Sequence, residues 1–321
     1  MKRILSCVFG AAFFLVPLTG SSQAAYPDKP VKLLVGFAPG GGNDILARLM
    51  AEQFQKRFGQ PFIVENRSGA SGMIAIGAVK NAPPDGYTLL VGPSSGMAVN
   101  PALFAKINYD PVKDFKPISI VGDIPMIVTV NAGSKAETLR QFIEKAKNSA
   151  TPLYVGSAAT SFQLAGAVFA NKAGIKLENV NYRGSSQVVT ALLANEVDVA
   201  LIDAAAAIPQ IRAGKLRALA VTGNARFSQL PDIPTAAEAG VPGFVMSFWS
   251  ALFAPAGTPD NVISALQSAV KQGLAVPEVA QRMKELGIEP VGSTSAELAS
   301  TLAKDLPTYK EAAKLANVRP E

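Results

Sequence analysis

Val31-Lys32-Leu33-Leu34-Val35-Gly36-Phe37-Ala38-Pro39-Gly40-Gly41-Gly42-Asn43-Asp44 is the stretch that decides the fold of this chain. An apolar run breaks into a Pro-Gly-Gly-Gly turn. Apolar residues at helical spacing follow (Ile45, Leu46, Leu49, Met50, Phe54), behind Asn43 or Asp44 as N-cap. The reading is strand, glycine loop, helix. Such a loop aims unpaired backbone N–H groups and the positive end of a helix dipole at one spot, which suits an anion. Its glycines let the backbone come close to whatever sits there.

Two better-known glycine loops are excluded by spacing. Gly40-Gly41-Gly42 runs on into Asn43, Asp44 and Ile45, so the G-x-G-x-x-G dinucleotide pattern is absent. Gly36 and Gly41 have the P-loop gap, but Gly42-Asn43 stands where Lys and then Ser or Thr are needed. A plain tight turn is the other reading of the loop.

Residues 1–24 read as a signal peptide: Lys2 and Arg3, an apolar run over 4–18, then Ser22-Gln23-Ala24 as cleavage site. Its removal takes away Cys7, the only cysteine, and two positive charges. That leaves 28 basic residues against 24 acidic, a net +4. The mature chain has no disulfide and no stretch long enough for a stable membrane span. Its scattered charges argue against nucleic acid as a partner and give a small bias towards anionic ligands.

There is no histidine. Gly92-Pro93-Ser94-Ser95-Gly96 matches the text of a hydrolase elbow, but a serine nucleophile of that kind needs an imidazole to take its proton. With histidine and mature cysteine both missing, the usual zinc and copper ligands are gone too. Ser94 and Ser95 are therefore read as hydroxyls that hydrogen-bond a ligand. No cofactor, metal or catalytic residue is expected.

Along the chain, strands over 61–66 and 87–91 alternate with helices over 73–80 and 97–104, the signature of a parallel sheet with helices on its faces. The pattern restarts with helices over 138–147, 162–172 and 188–194 and strands over 153–156, 180–182, 197–202 and 216–221. Long extended segments over 115–130 and 244–253 flank the second unit and read as connecting strands. Helices over 262–274, 277–286 and 296–313 finish the chain. The expected layout is α/β with two lobes and a cleft between: 25–122 and 246–321 as one, 123–245 as the other.

In open α/β sheets ligands sit at the carboxyl ends of the strands. Those ends bring Phe37, Ala38, Gly40, Gly41, Gly42, Asp44, Ser94 and Ser95 from one lobe. The other lobe brings Ser157, Thr160, Ser161, Arg183, Gly184, Ser185 and Asp203. Arg183 is the one full positive charge and can grip a carboxylate as a fork. Ser157, Thr160, Ser185 and Asp203 can equally be plain N-caps, and Arg183 a solvated surface residue. Asp203 would repel a carboxylate unless it caps a helix or meets a ligand amine.

Several segments, in order, resemble one family. They are Tyr26-Pro27-Asp28-Lys29-Pro30, Phe37 to Asp44 as quoted, Tyr182-Arg183-Gly184-Ser185-Ser186, Leu230-Pro231-Asp232-Ile233-Pro234-Thr235 with Glu238-Ala239-Gly240, and Phe253-Ala254-Pro255-Ala256-Gly257-Thr258-Pro259. Together they are similar to the periplasmic receptors of tripartite tricarboxylate transporters, the Bug family. The resemblance implies a type 2 periplasmic binding protein fold whose lobes close over a small carboxylate. It implies that 37–44 and 157–161 hold one carboxylate, and that Arg183 occupies the family's basic position between Tyr and Gly. Ser250-Ala251 after Trp249 departs from the family's aromatic and glycine. The expected protein is a monomeric, non-enzymatic receptor in the periplasm that hands an organic acid or acidic amino acid to membrane transporter subunits. The alternatives are a solute-sensing receptor for a membrane signalling protein and an exported hydrolase using Ser94.

Overall fold

The computed structural model describes residues 26–223, 226–227 and 229–315; the expected signal peptide lies outside them. The quoted stretch forms β1 (Val31–Val35), a turn, and α1 (Gly42–Phe58). Leu46, Met50 and Phe54 fall four apart on one face of α1, with Ala47 and Ala51 beside them, and all are buried. Gly59 ends the helix at φ 71°, the left-handed conformation that glycine adopts without a Cβ clash. Phe54, fully buried against Phe58 and Phe62, contributes about 1.5–3 kcal/mol by leaving water.

The chain continues through β2 (Phe62–Asn66), α2 (Met73–Lys80), β3 (Thr88–Pro93), a π-helical turn at Ser95–Val99, α3 (Asn100–Leu103) and β4 (Phe115–Asn131). The second unit is α4 (Leu139–Lys147), β5 (Leu153–Ser157), α5 (Thr160–Ala173), β6 (Leu177–Asn181), α6 (Ser185–Leu193), β7 (Val199–Asp203), α7 (Ala204–Arg212) and β8 (Leu216–Val221). Then come β9 (Ser247–Pro255), α8 (Asp260–Leu274), α9 (Pro277–Glu285), β10 (Glu289–Pro290) and α10 (Ser295–Leu315). The two expected βα units are present, with helix starts shifted by a few residues towards the glycine and serine loops.

The strand order is β2-β1-β3-β9-β4-β7-β5-β6, with β8 and β10 also on β4. Parallel pairs β1/β2, β1/β3, β5/β6 and β5/β7 build the two ends. The middle is antiparallel. The first part of β4, from Phe115 to Pro125, pairs with β9, and its second part, from Met126 to Asn131, pairs with β7 and β8. The long apolar segment over 115–130 is thus one strand shared by both lobes.

The second crossing meets the first at Thr222. Its N–H donates to the Met126 carbonyl at 3.0 Å, and its carbonyl accepts the Met246 N–H at 2.9 Å. Its hydroxyl also donates to the Met246 carbonyl. These backbone ties hold the two crossing segments side by side. Behind them, Leu164 of α5 packs with Val99, Leu103 and Ala313, an apolar contact between the lobes. Trp249 is core, with its indole N–H donating to Asp305 at 2.7 Å.

Gly36, where β1 ends, meets the backbone of Gly72. A Cβ built at Gly36 would lie 2.8 Å from the Gly72 Cα and 3.0 Å from its carbonyl oxygen. Neither neighbour is a flexible side chain, so backbone must move. Gly36→Ala should cost about 1–3 kcal/mol, read as a lower urea midpoint at unchanged m-value. Gly41→Ala, whose Cβ would meet only the Ala38 carbonyl oxygen at 3.9 Å, should leave the midpoint in place.

Candidate functional site

Register places the loops. Val35 of β1 lies opposite Val91 of β3, so the turn after β1 and Ser94-Ser95 emerge side by side. In the second lobe Ser157 lies opposite Asn181, and Gly156 opposite Ala200, so the loops after β5, β6 and β7 share one edge. The lobes come together there. A Cβ built at Gly184 would lie 3.1 Å from the Cβ of Ala38 across the cleft.

Between them is a cavity of about 20 Å³, lined by Phe37, Ala38, Gly41, Gly42, Asn43, Asp44 and Ser95 from one side. Ala158, Ala159, Phe162, Gly184, Ser185, Asp203 and Phe248 close the other. Phe162 and Phe248 meet edge to face at 4.9 Å between centroids and give it an apolar wall.

Three helices begin on this cavity. Their N-caps are Gly41 (α1), Ala159 (α5) and Gly184 (α6), and none supplies a side-chain cap. The first-turn N–H groups of a helix have no intrahelical partner, so three sets of donors and three positive dipole ends converge on one small space. Two buried acceptors or donors facing it, Asn43 Oδ1 and Ser95 Oγ, have no partner among the described residues. The α7 start differs: Asp203 is its N-cap and accepts the Ala206 N–H at 3.0 Å.

Asn43 and Asp44 are not the N-cap of α1, because the helix already begins at Gly42 behind Gly41. Asp44 lines the cavity, but its carboxylate is spent on the loop. It accepts the Gly40 N–H at 3.0 Å, the Arg48 Nε and Nη2 at 3.0 Å, and the Asn66 Nδ2 at 2.9 Å. Burial works to raise its pKa, yet the bonds from Arg48, Gly40 and Asn66 hold it below the ordinary range. Asn66 also reaches the Phe37 carbonyl at 3.0 Å, fixing both ends of the turn. Gly40 itself stands off the cavity at φ +85° and shapes the turn.

The remaining expected residues divide into three groups. Ser95, Gly184, Ser185 and Asp203 line the cavity. Ser94 and Ser161 are buried off it, and the Ser157 hydroxyl donates to Asn179 within its own lobe. Thr160 and Arg183 line a second, outer chamber. Thr160 crosses the cleft: its hydroxyl donates to Asn100 Oδ1 at 2.6 Å, and Asn100 Nδ2 donates to the Ser71 carbonyl at 3.1 Å. Sequence reasoning weighed Asn43 only as a cap and missed Ala158, Ala159, Phe162, Phe248 and Asn100. Their types carry no chemical signal, and only the fold brings them to the cleft.

Asp203 is fully buried, and its partners are protein groups. Ser185 donates to one oxygen, Ala206 N–H to the other, and the Gly42 N–H approaches from the opposite lobe. Burial pushes its carboxyl above the ordinary carboxylate range, against the downward pull of those donors. The folded chain therefore keeps this proton at pH values where the unfolded chain has lost it. Stability from this group is full below the unfolded pKa, about 4, and is lost as pH rises through the folded value. Asp203→Asn should remove that loss: its urea midpoint relative to wild type should rise between pH 4 and 7.

The sequence model of the tripartite tricarboxylate transporter family receptor, TctC, matches residues 46–315. Protein BugT of Bordetella pertussis (strain Tohama I) is 33% identical over 312 residues, covering 95% of each chain. R. palustris Rpa4515, solved with adipate, is 31% identical with a TM-score of 0.90, covering 92% of this chain and all of that one. MatC (Rpa3494) from Rhodopseudomonas palustris, solved with bound malate, is 30% identical with a TM-score of 0.85, covering 89% and 99%. The chain belongs to the tripartite tricarboxylate transporter receptor family, the Bug family of periplasmic solute-binding proteins.

Proposed function

We propose that this protein is an exported receptor that captures a small carboxylate by lobe closure and delivers it to the membrane subunits of a tripartite transporter. The observation that carries this is the convergence of three N-termini without side-chain caps on one cavity, with the Ser95 hydroxyl unpartnered beside them. A carboxylate oxygen accepts from such donors without needing a cation, and no cation lines this cavity among the described residues. Adipate in Rpa4515 and malate in MatC support the same ligand chemistry here.

On this reading residues 1–24 direct export and are removed. Residues 25–122 with 246–321 move as one lobe and 123–245 as the other, about Met126, Thr222 and Met246. The protein acts as a monomer and binds without turnover. Ser94 does not bear on the ligand, since it is fully buried off the cavity.

A thermal-shift screen over mono-, di- and tricarboxylates tests the function. A true ligand at about a hundred times its Kd should add roughly 2.7 kcal/mol of stability, and should be recovered chemically unchanged after incubation. A panel with no stabilising acid, or recovery of product in excess of protein, would overturn the reading. Gly41→Val tests the site. A Cβ there meets only the Ala38 carbonyl oxygen at 3.9 Å and Gly41 lines the cavity, so the variant should fold cooperatively while lowering affinity by on the order of tenfold or more. Undiminished affinity would put the anion elsewhere.

A further inference from the structure

Two carboxyls line the cavity, and they are held in opposite ways. Asp44 is paired with Arg48 at 3.0 Å. Asp203, 2% exposed, is in no ion pair among the described residues. Its donors are neutral and come from both lobes: the Ser185 hydroxyl, the Ala206 N–H at 3.0 Å and the Gly42 N–H at the start of α1. A Cβ built at Gly42 would lie 3.5 Å from Asp203 Oδ1, so this carboxyl of one lobe lies against the first helix of the other.

No ionisable group on the surrounding elements supplies the missing charge. On α1 the nearest are Asp44 and Arg48, already joined. α6 carries none, and α7 only Arg212 at its far end. β4, whose Met126 lies opposite Asp203, carries Lys116, bound to Asp260, and Asp123, which acts on Tyr309 of α10. Gly287, which packs on Ala204 at the start of α7, has the neutral neighbours Leu286 and Ile288.

A volume of about 20 Å³ accommodates roughly one water-sized group. An anionic head inside it therefore lies in contact range of Asp203, with no water between them and no cation to offset the pair. Two carboxylates confined in one dry site do not both stay ionised; one takes a proton. Asp203 is the one that takes it. Burial already favours its neutral form, while the head has three helix starts to favour its charge.

The Ser185 hydroxyl puts this proton to use. While Asp203 is ionised, the Ser185 hydrogen is spent on its Oδ2. When a proton from solvent adds to Oδ2, that oxygen donates to Ser185 Oγ instead, and the Ser185 hydrogen turns to the cavity it lines. One repulsive charge is removed and one donor gained. From this arrangement we infer that capture of the anion is coupled to protonation of Asp203, so that the closed protein holds the ligand carboxylate together with one proton taken from solvent. This rests on the receptor reading above and adds its regulation. Affinity is high at low pH and falls as pH rises through the value at which the occupied site loses its proton.

Calorimetric titration of succinate, malate and adipate tests it, at about pH 6.5 to 8.5, above the range where free carboxylates titrate, in buffers of low and high ionisation enthalpy. For at least one acid, wild type should take up a proton from the buffer, approaching one per acid bound, and its affinity should fall by up to about tenfold per pH unit. Asp203→Asn has an amide that caps α7 as the carboxyl does and donates to Ser185 as the neutral acid does. It should bind the same acid without proton uptake and with one affinity across the range. Wild-type binding without proton uptake, a measurement that needs no variant, would overturn the inference and leave the receptor reading standing. So would uptake that persists in Asp203→Asn. Binding of none of the three acids would remove the receptor reading and the inference with it.

Discussion

The structure depends on the convergence of the starts of α1, α5 and α6, whose N-caps supply no side-chain acceptor, on one interior place. A helix start buried without acceptors is costly, and these three start at the same interior place with Gly, Ala and Gly as N-caps. Two other helices of the second lobe take a side-chain cap. α4 is capped by the Thr138 hydroxyl and α7 by the Asp203 carboxylate. Placing three helix starts without side-chain caps around one interior cavity leaves donors there for something outside the chain to satisfy. An anion is the species that does so best, because the dipole ends favour it as well as the donors.

The two cleft carboxylates are each kept from opposing the anion proposed for this cavity. Asp44 is ionised but neutralised: Arg48 forks onto it from one turn along α1, and Gly40 and Asn66 complete its shell. Asp203 is handled by burial, which favours its neutral form, and by Ser185 and the α7 start. One acid is paired away and the other disfavoured as a charge. Neither projects an uncompensated negative field into the cavity.

Much of this was legible from residue order. The alternation of apolar runs with glycine and serine loops marked both βα units, and the long segments over 115–130 and 244–253 marked the crossings that became β4 and β9. The strand-end rule brought Phe37, Ala38, Gly41, Gly42, Ser95, Gly184, Ser185 and Asp203 to one cavity. It could not separate Ser157, Ser161 and Ser94, which sit at the same strand ends but do not line the cavity, Ser157 being bonded to Asn179 in its own lobe. Which way a loop hydroxyl faces is set by packing across the chain. The helix starts went astray for a related reason: Asn43 and Asp44 are strong caps by type, yet Asp44 is more useful bracing the turn from inside the first helical turn. Phe162, Phe248 and Asn100 become site residues only once the two lobes meet.

The apolar contact of Leu164 with Val99, Leu103 and Ala313 joins the two lobes outside the lining of the cavity. On the proposed closure about β4 and β9, this patch is squeezed or released as the lobes move, and its packing then biases the balance between open and shut. Apparent affinity scales with the fraction of molecules already competent to bind. Substitutions there can retune the receptor to scarce or abundant solute while every group that touches the solute stays the same.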